Sequence, residues 1–302
     1  MSSYEDVLEE YANPEIKLMK LIVNSGDSME VTLPIKPNSE NDYTIDWGDG
    51  TKEKVDPMEY ATHTYSSAST EYTVTIDGTV KEIDAGNRFN PFSSDSIVKV
   101  AKWGELGLTK VSFNYCSNLV EIASPTKNSF KDVTNFSHAF HSTGITSIPE
   151  NLFASCPNVT DFSYAFHSTG ITSIPENLFA NCPNVTDFSH AFVYTQITSI
   201  PENLFANCPN VTNFKFAFCN TRITNIPESL FDNCTKVESF NNTFACCGEL
   251  KGLAIELWTR GTNDSSNNYQ GTPDGWGCFG GSEQLDNYEQ IPSYWKEEIA
   301  EN

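Results

Sequence analysis

The residues of this sequence best suited to chemistry are its five histidines, nine cysteines and paired carboxylates. Four histidines, His138, His141, His167 and His190, recur within one stretch, and stacked with Cys116 or Cys219 they could ligate a transition metal. Further along, the corresponding positions hold Val193, Phe216 and Asn242, so no metal or other cofactor is expected. Asp46 and Asp49 lie in the segment TIDWGDGT. Calcium takes roughly six to eight oxygens, and two carboxylates are too few. They are expected instead to bond the backbone of their own turn. His63 reads as a hydrogen-bonded structural histidine. The nucleophile elbow GxSxG, the zinc motif HExxH and the phosphate loop GxxxxGK[ST] are all missing. Glycan hydrolysis needs two carboxylates flanking one cleft, and no convincing pair is present. The expectation is a protein without catalytic activity.

The elements that position these residues are set by a repeat. Val133, Val159, Val185, Val211 and Val237 recur every 26 residues, as do Phe136, Phe162, Phe188, Phe214 and Phe240. Phe140, Phe166, Phe192, Phe218 and Phe244 keep the same step. A period of this size marks a stacked-coil architecture, in which no single coil buries its own apolar face. Within each unit VTDF suggests a short strand, and IPENLFANC, with Pro at its start, suggests a helical or 3₁₀ turn. Cys156, Cys182, Cys208 and Cys234 sit on the same period and read as small buried hydrophobes. Cys219, Cys246 and Cys247 fall in adjacent coils, and a disulfide among them stays open. The NVT triplets at Asn158, Asn184 and Asn210 match a glycosylation acceptor, but a turn before each strand explains their repetition.

Around the repeat the chain divides into four parts. Residues 1–14 include an amphipathic helix expected over residues 3–12, where Tyr4, Val7, Leu8 and Tyr11 share a face and Ser3 with Asp6 forms a capping box. It could serve as an attachment segment. Residues 15–83 alternate apolar and polar side chains at Val31, Leu33, Ile35, Val74 and Ile76, the pattern of half-buried strands. Their WGDG turn, the HTY element at His63–Tyr65 and the YTVTI strand from Tyr72 resemble the polycystic-kidney-disease (PKD) type of immunoglobulin-like module. That resemblance implies a small β-sandwich acting as spacer or binding domain. Residues 84–258 form the solenoid, with degenerate leading repeats at Val111, Leu119 and Ile122. In residues 249–258 ELKGLAIELW suggests a last helix, and residues 259–302 suggest a C-terminal cap.

The repeat, one strand and one turn per unit, resembles the leucine-rich repeats of BspA-like surface proteins, in which Phe, Ile and Cys replace many leucines. The resemblance implies a β-rich chain, a sandwich followed by a leucine-rich-repeat solenoid, and a role in cell-surface adhesion or host recognition. The usual ladder asparagine is not held, so the backbone there must be satisfied otherwise; the column Thr143, Thr169, Thr195, Thr221 is the candidate.

Recognition should lie where the repeat varies. One column reads His138, Tyr164, His190, Phe216, Asn242, and it could point inward or outward. If outward, it makes a stacked aromatic stripe suited to protein or glycan. The second column reads His141, His167, Val193, Cys219, Ala245; the third reads Ser142, Ser168, Tyr194, Asn220, Cys246. The candidate binding residues are His138, Tyr164, His190, Phe216, Tyr194 and Lys215. Asp161 and Asp187 join them from the strand that should face the concave side.

Lys and Arg number 18 against 40 Asp and Glu, a net charge of −22. A field of that sign repels phosphate backbones and anionic lipid, so neither nucleic acid nor a membrane surface is an expected partner. No apolar run reaches the roughly 20 residues of a membrane span. The opening MSSYEDVLEEYA lacks the basic and apolar regions of an export signal. These features favour a bacteriophage virion component, tail or decoration, that binds a host cell-surface protein or glycan and contacts other virion subunits through residues 1–14. The alternatives are a bacterial cell-surface adhesin and a purely architectural spacer.

Overall fold

The structure, a computed structural model, describes residues 14–86, 94–263 and 269–297. The helix expected over residues 3–12 lies outside them. The first part is built from β1 (Met19–Asn24), β2 (Glu30–Thr32), β3 (Asp42–Asp46), β4 (Lys52–Lys54), β5 (Thr62–Thr64), β6 (Glu71–Thr79) and β7 (Glu82–Asp84). Three more strands follow, β8 (Ile97–Lys102), β9 (Lys110–Ser112) and β10 (Glu121–Ile122). One six-stranded sheet runs β10-β8-β1-β6-β3-β4, while β2 pairs with β5 and β7 with β9. Alternation decides which face is buried. In β1, Met19, Leu21 and Val23 go into the core while Lys20, Ile22 and Asn24 are only half-buried.

The WGDG turn is held as its residues suggest. Asp46 accepts the Gly48 N–H at 3.0 Å, and Asp49 accepts the Thr51 N–H at 2.9 Å. His63 bonds Asp49 at 2.8 Å and stacks on the buried Trp47 ring, 4.9 Å between centroids. The Tyr65 hydroxyl donates to the Trp47 carbonyl at 2.9 Å. Both carboxylates and the histidine therefore serve the fold.

The sheet and the solenoid are interlocked. Strand β8 lies antiparallel to β1 and parallel to β10, and β7 lies parallel to β9. One contiguous core extends from Met19 to Trp295.

In the solenoid two expected elements shrink. The VTDF strand is reduced to one bridging residue per coil: Asn135, Asp161, Asp187, Asn213 and Ser239 pair in parallel, one to the next. IPENLFANC is a run of turns, with Leu178 N–H donating to the Pro175 carbonyl at 3.2 Å and Ala180 N–H to Asn177 at 3.1 Å. Each of these bonds spans three residues, so the run closes as successive turns without the four-residue bonds of an α-helix. The last helix expected at 249–258 is likewise missing. Lys251 N–H bonds the Thr224 carbonyl and Gly252 takes φ +77°, so the segment continues as coil and only Leu257–Thr259 makes a 3₁₀ turn.

The phenylalanine columns stack as the period requires. Phe162, Phe188, Phe214 and Phe240 follow one another at 5.6, 5.8 and 5.8 Å, near parallel. Cys156, Cys182, Cys208 and Cys234 are buried beside them. None of the nine cysteines forms a disulfide, and Cys246 is the exposed one. After β11 (Thr262–Asn263) and β12 (Tyr269–Gly271), residues 274–280 take up the next coil. The N–H groups of Phe240, Asn242, Phe244 and Cys246 donate to Asp274, Trp276, Cys278 and Gly280.

Candidate functional site

The segment after each bridging residue carries the variable columns, and its backbone explains where they point. His138, Tyr164, His190, Phe216 and Asn242 all have φ between 53° and 57°, and the third column from Ser142 to Cys246 has φ between 53° and 57°. Left-handed conformations cost non-glycine residues on the order of 1–3 kcal/mol each, so something must over-determine them. The compensation is a complete set of backbone bonds. The N–H groups of Phe136, His138, Phe140 and Ser142 donate to the next coil, while those of Ala139, His141 and Thr143 donate three residues back within their own coil. The Ser137 N–H goes to the Asn135 side chain at 2.9 Å. Thr143, Thr169, Thr195 and Thr221 each donate a hydroxyl to the phenylalanine carbonyl three residues earlier at 2.8 Å. The threonine column thus does fill the role left by the missing asparagine ladder, within each coil.

The left-handed turn leaves the first column half-buried, neither inside nor free. His138 and Tyr164 stack at 4.6 Å and 11°, Tyr164 and His190 at 4.3 Å and 6°, His190 and Phe216 at 4.8 Å and 19°. Each ring covers the face of the next, so the ladder offers edges to solvent. The last position, Asn242, is buried. The second column packs alongside. His138 Nδ1 and His141 Nδ1 are hydrogen-bonded at 3.2 Å, and His141 meets His167 edge-on at 4.6 Å. Further on this column turns apolar, and Val193, Cys219 and Ala245 form a small cluster against Phe216. Tyr194 stands out from the ladder, 54% exposed, with its ring edge-on to His167 at 5.7 Å. The Lys215 ammonium lies 5.7 Å from the Phe216 centroid, a cation–π contact.

Two of the candidate residues do something else. Asp161 accepts the Ser163 N–H at 2.8 Å and the Asn135 side chain at 3.1 Å. Asp187 accepts the Ser189 N–H at 2.6 Å and the Asn213 side chain at 3.0 Å. Both carboxylates secure the turn into the ladder and are half-buried rather than displayed. One aromatic residue beside the ladder escaped the sequence reading. Tyr115 tilts against His141 of the second column at 4.9 Å, and its N–H donates to the His141 carbonyl as that of Ser142 does to His167, which puts it at the head of the third column. The leading coil is out of register: Phe113 stacks on Phe140 and Lys110 bridges Asn135, steps of 27 and 25 residues, so a strict 26-residue alignment misses it.

The imidazoles are held neutral. Burial lowers His141 to about 4, with His167 and His138 adding to the effect. Burial likewise lowers His190 to about 4, with His167 and Lys215 adding and Asp187 opposing. His138 and His167 are lowered chiefly by burial too. No group of three or more His, Cys, Asp or Glu among the described residues is arranged to hold a metal ion. A histidine whose folded pKa lies below its unfolded value, about 6.5, stabilises the fold above that value. The contribution is lost as pH falls from about 6.5 towards about 4. Acid also relieves the repulsion of a −22 chain, so the whole-protein curve mixes opposite effects. The difference between proteins isolates the histidines. The double variant His141→Val, His167→Val, which copies the Val193 of the next coil, should lose less melting temperature than the parent between pH 7 and pH 4.5. Parallel curves would contradict the packing described.

Residues 107–238 match the BspA type leucine rich repeat region in six copies. No curated protein matches the chain. No helix among the described residues is long and apolar enough to cross a membrane.

Proposed function

We propose that the chain is a non-enzymatic recognition protein that binds a host or cell-surface protein through the ladder His138, Tyr164, His190, Phe216 with the neighbouring Tyr115, Tyr194 and Lys215. The repeat family supports a protein-binding or adhesion role. The observation that carries the reading is the ladder itself, a run of aromatic rings held half-buried in the columns where an otherwise uniform repeat changes residue. Its rings cover one another's faces, and sugar rings stack on aromatic faces. Edges bearing imidazole nitrogens and a phenol hydroxyl suit hydrogen bonding to a protein better than stacking of a glycan. The WGDGT segment resembles a PKD-type module and is proposed as the spacer that carries the ladder outward. Within this class the proposed setting is a bacteriophage virion, tail or decoration, with residues 1–14 as the attachment segment. The net charge of −22 suits a displayed protein that must not adhere to nucleic acid.

The test is binding of labelled protein to intact candidate host cells. Changing Tyr164, His190, Tyr194 and Lys215 together to residues that leave melting unchanged should weaken binding by at least about tenfold, because a few central side chains dominate such interfaces. Undiminished binding by the variant would overturn the reading. Absence of binding to any cell, with the protein retained in purified particles, would favour an architectural spacer.

A further inference from the structure

Where the last regular coil meets the C-terminal segment, a groove of about 910 Å³ opens that shares no residue with the aromatic ladder. Its floor is apolar, formed by the buried Ile226, Ala254 and Leu257. Leu253 stands at its wall 69% exposed, the most exposed large hydrophobic side chain among the described residues. Its rim is acidic, with Glu202, Glu228, Asp232 and Glu256 lining the same opening. The one cation there, Arg260, is already committed: it donates to the Phe231 carbonyl at 2.6 Å and faces Asp232 at 3.9 Å. Ser229 donates to Glu202 at 3.1 Å. Glu228 and Glu256 have no ion-pair partner among the described residues.

An apolar floor normally draws an apolar occupant, and carboxylates around its mouth select the sign of what accompanies it. We infer that this groove docks a basic amphipathic peptide segment of a partner, placing an aliphatic side chain against Leu253 and Leu257 and Lys or Arg side chains on Glu228 and Glu256. Charge complementarity decides the occupant. The rim carries four carboxylates against one engaged guanidinium, so an acidic or neutral segment would leave the rim unpaired. Glu202 and Glu228 belong to a column with Glu150 and Glu176, all four exposed, which extends the same sign along the solenoid without extending the apolar floor.

The experiment is fluorescence anisotropy with three labelled short peptides, alternating Lys with Leu, Lys with Ser, and Glu with Leu. The Lys–Leu peptide should bind in moderate salt, the other two at least about tenfold more weakly. Leu253→Ser, and separately Glu228→Gln with Glu256→Gln, should each weaken Lys–Leu binding about tenfold, with unchanged melting as the check that these exposed changes leave the fold intact. Glu150→Gln with Glu176→Gln removes the same charge outside the groove and should leave binding unchanged. Equal binding of Lys–Ser and Lys–Leu peptides, or equal loss in the two glutamate pairs, would show diffuse charge attraction and overturn the proposal, as would absence of Lys–Leu binding. The ladder variant used for cell binding retains this groove, so the two readings fail separately.

Discussion

Phe188→Ala is expected to cost about 3–5 kcal/mol, the range for emptying a packed aromatic site. Phe188 sits in the middle coil, between Phe162 at 5.6 Å and Phe214 at 5.8 Å, and touches Phe179 and Phe205 at 4.6 and 4.8 Å. Four rings lose a neighbour at once, and the covalent coil around them cannot collapse without breaking the backbone bonds to both adjoining coils. Because each repeat contacts only its neighbours, the damage should also weaken the cooperative link across this coil. Thermal unfolding should therefore shift down on the order of 10 °C. A melting curve within experimental error of the parent would contradict the assignment of this column to the core.

Gly78→Ala should be comparably damaging for a different reason. Gly78 has φ +121°, and it lies opposite Tyr43 in the β3–β6 pairing. A Cβ there would overlap the Asp42 carbonyl oxygen and come within 2.8 Å of the Tyr43 Cα. Both are backbone atoms of a strand hydrogen-bonded on both sides, so neither can move aside cheaply. Gly50→Ala is the natural comparison, since Gly50 also has positive φ, +97°, but nothing lies within 4 Å of its added Cβ. Backbone strain alone costs roughly 1–3 kcal/mol. Gly78→Ala should lose at least about 3 kcal/mol in chemical denaturation, clearly more than Gly50→Ala. Equal losses would mean that the close approach of β3 and β6 is not as described.

The 26-residue period made the stacked core legible, because Phe, Val and Cys return at fixed positions and each lands on its own kind. The direction of the first column was not legible. Positive φ is announced by Gly or Asn, and His138, Tyr164 and Phe216 announce nothing of the sort. What permits their conformation is the inter-coil bonding, which exists only once coils stack. The same cause reduced VTDF to a single bridging residue, since the left-handed turn three residues after Asn135 ends the strand. Asp161 and Asp187 looked displayed because the usual repeat exposes that strand; their hydrogen bonds to Ser163 and Ser189 depend on the same turn. Tyr115 was hidden by an irregular step in the leading coil.

The central claim is that the contact with the host cell lies in the non-repeating columns. Three tyrosines of similar exposure make the claim measurable: Tyr194 at 54%, Tyr60 at 44% and Tyr294 at 49%. Hydroxyl-radical footprinting of the protein free and bound to host cells should show Tyr194 protected together with Tyr164 and Lys215, while Tyr60 and Tyr294 oxidise as before. Protection of Tyr60 or Tyr294 with Tyr194 left reactive would place the contact off the ladder and contradict the account.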